Sequence, residues 1–239
     1  MIFKKKRLTL HAYAPVGQLV DLFPPVKLSD SHPDWYKVLP ADVGEHGPGL
    51  TVKHCSGLKD LYSAGMLMPL WADHEIATSP TNPPWIKTNY NPPNGPAHVS
   101  HNLDVQATNA WPGYSNIKFS SPWMFWCDEP VQWLISQPTW HQKDPSQIQT
   151  VTGIFEFRHQ HQTNISVLIK NNAAIGKPIT LRAGTPMAYI TPLIERDWDL
   201  KVDVWDPTTF AKRFARWDFT LSNGSLHYQR VRNIINRKK

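Results

Sequence analysis

Between Val151 and Leu193 the sequence reads VTGIFEFRHQHQTNISVLIKNNAAIGKPITLRAGTPMAYITPL, and this stretch constrains the fold most. Its runs of β-branched and aromatic residues favour strands. The Ala183-Gly184-Thr185-Pro186 sequence between two apolar runs is a turn signal. The 22 prolines of the chain point the same way. Proline interrupts helices and is excluded from central strands, so many short elements joined by ordered turns are expected. A chain of 239 residues, 41% of them apolar, holds enough material for one large all-β domain or two small ones. The expected fold is mainly β, a jelly-roll sandwich.

The rest of the chain divides into three stretches. Residues 1–50 read as an extended N-terminal wrap with one strand, Leu8 to Ala14, anchored by Trp35 and Tyr36. Residues 51–197 read as the sandwich core. It opens on a short strand at 51–54 and a helix at 57–64, with Ser56 as N-cap, Leu58, Leu61 and Tyr62 as buried face, and Gly65 as C-cap. Residues 79–98, with Pro80, Pro83, Pro84, Pro92, Pro93 and Pro96, form a proline-rich arm. Short strands are expected at 98–107, 117–119, 123–126 and 131–135, with a turn at Trp111 to Tyr114. Residues 198–239 read as a C-terminal helix and basic tail. Asp206-Pro207 is an N-cap followed by proline in the first turn, and the helix is expected over 207–217.

The net charge of +6 is concentrated at the ends. Lys4, Lys5, Lys6 and Arg7 open the chain, and Arg230, Arg232, Arg237, Lys238 and Lys239 close it. Without these basic tails the body is mildly acidic. The tails suit an anionic partner, whether nucleic acid, an anionic lipid surface or an acidic protein, whereas the body offers no basic binding face. Cys55 and Cys127 make no disulfide framework, so reduced thiols are expected, with Cys55 a buried structural one. No signal peptide and no membrane span are read. The expected setting is a cytoplasm, or a virus particle assembled there.

One constellation carries metal chemistry. Gly153-x5-His159-x-His161 has the spacing of the first cupin motif, and Gly176-x5-Arg182-x-Gly184-x2-Met187-x3-Thr191 has that of the second. Alternate residues of a strand share a face, so His159 and His161 would chelate a divalent transition metal together. The resemblance makes the expected sandwich cupin-like. The ligand set is incomplete, however. Ile165 and Ser166 stand where the motif has glutamate, Arg182 where it has proline, and Met187 where it has histidine. His54, His101 or Asp73 would have to complete the site. The plainer reading places both histidines on the solvent face of a strand, with no cofactor. Cys55 directly after His54 is a poor nucleophile–base pair, because neighbours in a strand point apart. The phosphate-loop, dinucleotide and nucleophile-elbow motifs are missing from the sequence.

Aromatic residues are dense from Trp123 to Trp140. Trp123, Trp126, Trp133 and Trp140, with Trp85 and Tyr90 in the proline-rich arm, are interface candidates, and core filling is the competing reading. The order of short anchors is similar to that of an uncharacterised family of phage and bacterial β-proteins. These anchors are Cys55-Ser-Gly-Leu58, Gly65-x3-Pro69-x-Trp71, Ser121-Pro122, Gly153-Ile-Phe-Glu156, Gly184-Thr-Pro186 and Pro192-Leu193. The resemblance implies a β fold and a viral or bacterial setting, and supplies no catalytic residues. The expected function is a non-catalytic structural or assembly protein, a phage virion component. It would meet other subunits, in an oligomer or larger assembly, through arms and tails that order on contact. The alternatives are a metal-dependent cupin-type enzyme using His159 and His161, and a carbohydrate- or nucleic-acid-binding β-module.

Overall fold

In the structure, a computed structural model, residues 7–43, 49–78, 84–90, 97–101, 110–143, 148–158, 161–171 and 178–213 are described. They build a mainly β fold of stacked sheets. The largest is antiparallel and five-stranded, in the spatial order Gly153–Phe155, Trp133–Ser136, Pro186–Pro192, Met66–Pro69, Val26–Lys27. Pro186–Pro192 is its central strand. Both of its prolines sit at the strand ends, where a missing N–H leaves the ladder intact. A four-stranded antiparallel sheet runs Ile148–Thr150, Ile165–Lys170, Tyr114–Phe119, His98–His101. A three-stranded sheet runs Ile179–Leu181, His74–Ala77, Trp85–Thr88. The inner faces share one core that includes Leu10, Met68, Phe119, Trp123, Trp133, Val167 and Ile190. Among the described residues the sheets pack as a sandwich, and none closes into a barrel.

The strand Leu8–Ala14 alternates as its sequence implies, with Leu8, Leu10, Ala12 and Ala14 buried. It lies between Met124–Trp126, antiparallel, and Trp198–Val204, parallel. Boundaries drawn at 50 and 197 therefore cut through one sheet. Nor is the N-terminal stretch an irregular wrap with a single strand. It contains the helices Gly17–Leu22 and Asp34–Val38, the strand Val26–Lys27 and a ribbon of Asp42–Val43 with Gly49–Leu50. The expected strand at 51–54 is instead a 3-10 turn, Val52–His54, started by Thr51 Oγ1 accepting the Lys53 N–H.

The helix Ser56–Ala64 buries Leu58 and Tyr62 as expected, but Ser56 is inside it and the side chain of Cys55, its N-cap residue, makes no cap bond. Cys55 is exposed, so it is not the buried thiol the sequence implied. Gly65 ends the helix in an extended conformation, not a left-handed one. Its value is space: a Cβ there would stand 2.6 Å from Leu28 Cδ1 and 3.2 Å from the Leu61 carbonyl oxygen. Gly184 does need its freedom. Its φ of +84° places it third in a turn closed by Thr185 N–H to Arg182 O, the position a type II turn reserves for glycine. At the other end, Asp206 Oδ1 accepts the N–H groups of Thr208 and Thr209 at 3.1 and 3.0 Å, and residues 207–213 are helical. The remainder of the expected 207–217 helix lies outside the described residues.

Candidate functional site

The histidine pair that the sequence singles out is not seen as a pair. His159 lies outside the described residues. The strand Gly153–Phe155 stops short of both histidines, and His161 sits in an isolated segment beside Met124–Trp126. It is 3% exposed, so it does not lie on a solvent face. Its Nδ1–H donates to Phe125 O at 3.0 Å, its carbonyl accepts the Phe125 N–H at 2.7 Å, and its ring stacks on Trp126 at 4.7 Å. These contacts make it a tie between segments. Of the auxiliary ligands, Asp73 is committed to the Gly184 turn, with Oδ1 accepting the Ala183 N–H and Oδ2 accepting Arg182 Nη1. These donors, the Ala183 N–H first, hold its carboxyl below the usual range. His54 Nε2 is turned to Asp42, 3.2 Å from its Oδ1. Among the described residues, no three His, Cys, Asp or Glu side chains gather into a metal-holding group.

The aromatic candidates separate by burial. Trp123 and Trp133 are fully buried core residues, so they are not interface residues. Trp126 and Tyr90 are half-buried, the latter packed against the core. Trp85, at 55% exposure, and Trp140, at 42%, are on the surface. Of the basic tails only Arg7 is described. It is ion-paired with Asp199 at 3.1 Å and lies 3.8 Å from Asp197, so its charge is balanced within the chain.

Trp140 has a partner that sequence reasoning treated only as an anchor. Trp35, on the helix Asp34–Val38, donates its Nε1–H to Trp140 O at 2.9 Å, and the two rings lie 5.8 Å apart at 39°. Both indoles are exposed. Val38, one turn further along the helix, is the most exposed large apolar residue described, at 81%. The ribbon carrying exposed Val43 and Leu50 is tied to the same lobe, since Thr51 N–H donates to Ala41 O and Lys53 Nζ to Lys37 O. The missed signal was the Trp-Tyr pair followed by an unpaired Val38 in a helix too short to bury two faces.

The platform is held from below by a histidine–tyrosine box. His141 follows Trp140 in the 3-10 turn Thr139–His141. Its Nε2 is 2.6 Å from Ser31 O and its Nδ1 is 2.7 Å from Tyr189 Oη. A carbonyl can only accept, so Nε2 carries the proton and Nδ1 accepts the Tyr189 hydroxyl. His141 thus links the N-terminal lobe to the central strand of the largest sheet. Burial holds its pKa below the ordinary histidine value, which keeps this tautomer neutral, and burial raises that of Tyr189. His32, Tyr36 and Tyr62 pack beside it, with His32–Tyr36 at 5.1 Å and Tyr36–Tyr62 at 4.9 Å. The Tyr62 phenol is pushed up to about 12, mainly by burial.

Clefts also open among the described residues. One of about 270 Å³ is lined by Asp73, Glu75, Lys87, Thr180 and Arg182, and another of about 620 Å³ by Arg7, Lys27, Asp60, Glu195 and Arg196 among others. Both mix acids with bases. No helix among the described residues is long and apolar enough to cross a membrane. No protein-family model, no curated protein and no solved structure matches the chain.

Proposed function

We propose that this chain is a non-catalytic structural or assembly protein that meets other protein subunits through its exposed aromatic lobe. The observation that carries this is the Trp35–Trp140 platform with Val38 beside it. Exposed aromatic side chains with few rotatable bonds lose little entropy when covered, which is why Trp and Tyr anchor interfaces. The His141 bonds fix the platform before any partner arrives, which reduces the ordering cost of association. The run of short anchors from Cys55 to Leu193 supports a virus-particle setting, and the proline-rich and basic stretches supply further contact segments. Sedimentation of the full chain across a wide concentration range tests the reading. Self-association is expected, and it should be weakened at least tenfold in Trp35→Ala with Trp140→Ala while the melting temperature holds. A monomer at all concentrations, unchanged by these substitutions, would overturn it.

The paired indoles also favour a second reading, a carbohydrate-binding module, because sugar rings stack on such surfaces. Quenching of tryptophan fluorescence by a panel of oligosaccharides, lost in Trp140→Ala, would replace the first reading with this one.

A further inference from the structure

His141 braces the aromatic platform through two bonds that a proton would disturb. Its Nε2–H donates to Ser31 O and its Nδ1 accepts the Tyr189 hydroxyl, so it joins the stretch leading into the Asp34–Val38 helix to the strand Pro186–Pro192. An imidazolium carries N–H on both nitrogens. Its Nδ1–H would then face the Tyr189 hydroxyl, which must turn its own proton away among packed rings. Backbone N–H groups of Trp140 and His141 already point at the Tyr189 oxygen, which crowds that side with donors. The groups around the ring give the charge no counter-ion. They are His32, Tyr36 with Lys53 Nζ 5.4 Å from its ring, Tyr62 at 6.0 Å from the His141 ring, and Tyr189. His32 opposes a charge on His141 instead of balancing it. Asp30 and Asp34, on the same stretch, are exposed and meet Ser29 and Lys37.

The stretch is also separable from the rest of the fold. Tyr36 packs against a small cluster of Leu28, Leu58, Tyr62, Leu67 and Tyr189 that is distinct from the main core. Leu28 is anchored by its N–H to Gly65 O, so residues 31–38 can swing about that point. A further tie to the Thr139–His141 turn, the Trp35 Nε1–Trp140 O bond, is exposed to water and contributes little alone.

We propose that His141 is an acid-operated latch on the platform: its protonation releases residues 31–38, parts Trp35 from Trp140, and switches off the surface through which subunits meet. The latch rests on the proposed assembly role for its purpose, but not for its chemistry. Near pH 7 the ring is neutral and the latch is closed. Burial places its titration below the ordinary value of 6.5, so the latch opens in acid. The driving force is differential: a released, solvated imidazole binds the proton more tightly than the buried one, so protons favour the open state.

Hydrogen exchange of the full chain between about pH 7.5 and 4.5, corrected for intrinsic rate, tests the latch. The amides of residues 31–38 are expected to lose protection at least tenfold in acid, while the core strand Ile165–Lys170 stays protected. In His141→Gln, which keeps a donor and an acceptor but cannot be protonated, the change should shrink below twofold. If that variant does not fold, the His141 ring resonance of the wild-type chain decides, because its titration midpoint should coincide with the opening. Unchanged protection down to pH 4.5, an equal loss in His141→Gln, opening and titration at different pH, or loss in the core strand in step with the segment would overturn the proposal. Sedimentation at the same two pH values separates latch from assembly. Self-association should weaken at least tenfold in acid in the wild type and not in His141→Gln. A latch that opens in a chain that never self-associates would overturn the assembly role alone.

Discussion

Trp133 and Trp85 are the same residue type with opposite expected energetics. Trp133 is fully buried, with its ring edge-on to Trp198 at 5.2 Å and 5.7 Å from Phe157. Truncation there removes a large apolar surface and leaves a cavity, so Trp133→Ala should cost about 3–5 kcal/mol. Trp85 is 55% exposed on an outer strand, and Trp85→Ala should change stability by about 0.5 kcal/mol or less. Urea unfolding of both variants checks the contrast; similar costs would mean that the two rings are not sorted as described. Gly65→Ala belongs to the same scale. The added methyl meets a flexible Leu28 terminus but also the Leu61 carbonyl oxygen at 3.2 Å, which cannot retreat without disturbing the helix end. A loss of about 1–3 kcal/mol is expected from this overpacking.

At the scale of elements, legibility followed locality. The turn at Trp111 to Tyr114, closed by Tyr114 N–H to Trp111 O at 3.2 Å, and the Asp206 cap are short-range chemistry, and both are visible in the sequence. Trp198–Val204 was missed although its Trp-x-Leu-x-Val-x-Val alternation is plain. Its acidic and basic outward positions obscured it, and no local pattern reveals a parallel partner at Leu8–Ala14. The His159–His161 spacing misled for a related reason. Alternation puts two residues on one face only where a strand continues, and here the strand ends at Phe155. The platform at Trp35 and Trp140 joins residues far apart in sequence, so it was legible only as two separate aromatics. The Asp206 cap yields a sharp expectation. Asp206→Ala removes acceptors for two N–H groups and should cost about 1 kcal/mol, felt through the docking of buried Phe210 beside Met124. Asp206→Asn, which keeps a cap acceptor, should restore most of that loss; equal losses in the two variants would remove the cap from the account.

For the whole molecule, buried imidazoles set the acid limit. His74, His98 and His141 all have pKa values lowered chiefly by burial, from an ordinary value of 6.5. A base with a lowered folded pKa binds fewer protons in the folded state than in the unfolded one. Their contribution is therefore constant above about pH 6.5 and falls as pH drops below it, until each folded pKa is passed. Asp73 and Asp206 act lower down. Backbone and side-chain donors depress their carboxyl pKa values, so their contribution is present above the unfolded value of 3.8 and is lost only below it. The window between about pH 6.5 and 4.5 thus belongs to the histidines. Melting temperature should fall steadily across it, and His74→Phe, which keeps an aromatic ring against Phe119 and cannot be protonated, should flatten part of the slope. A profile that stays level to pH 4.5 in the wild-type chain would mean that these imidazoles are not buried in neutral form.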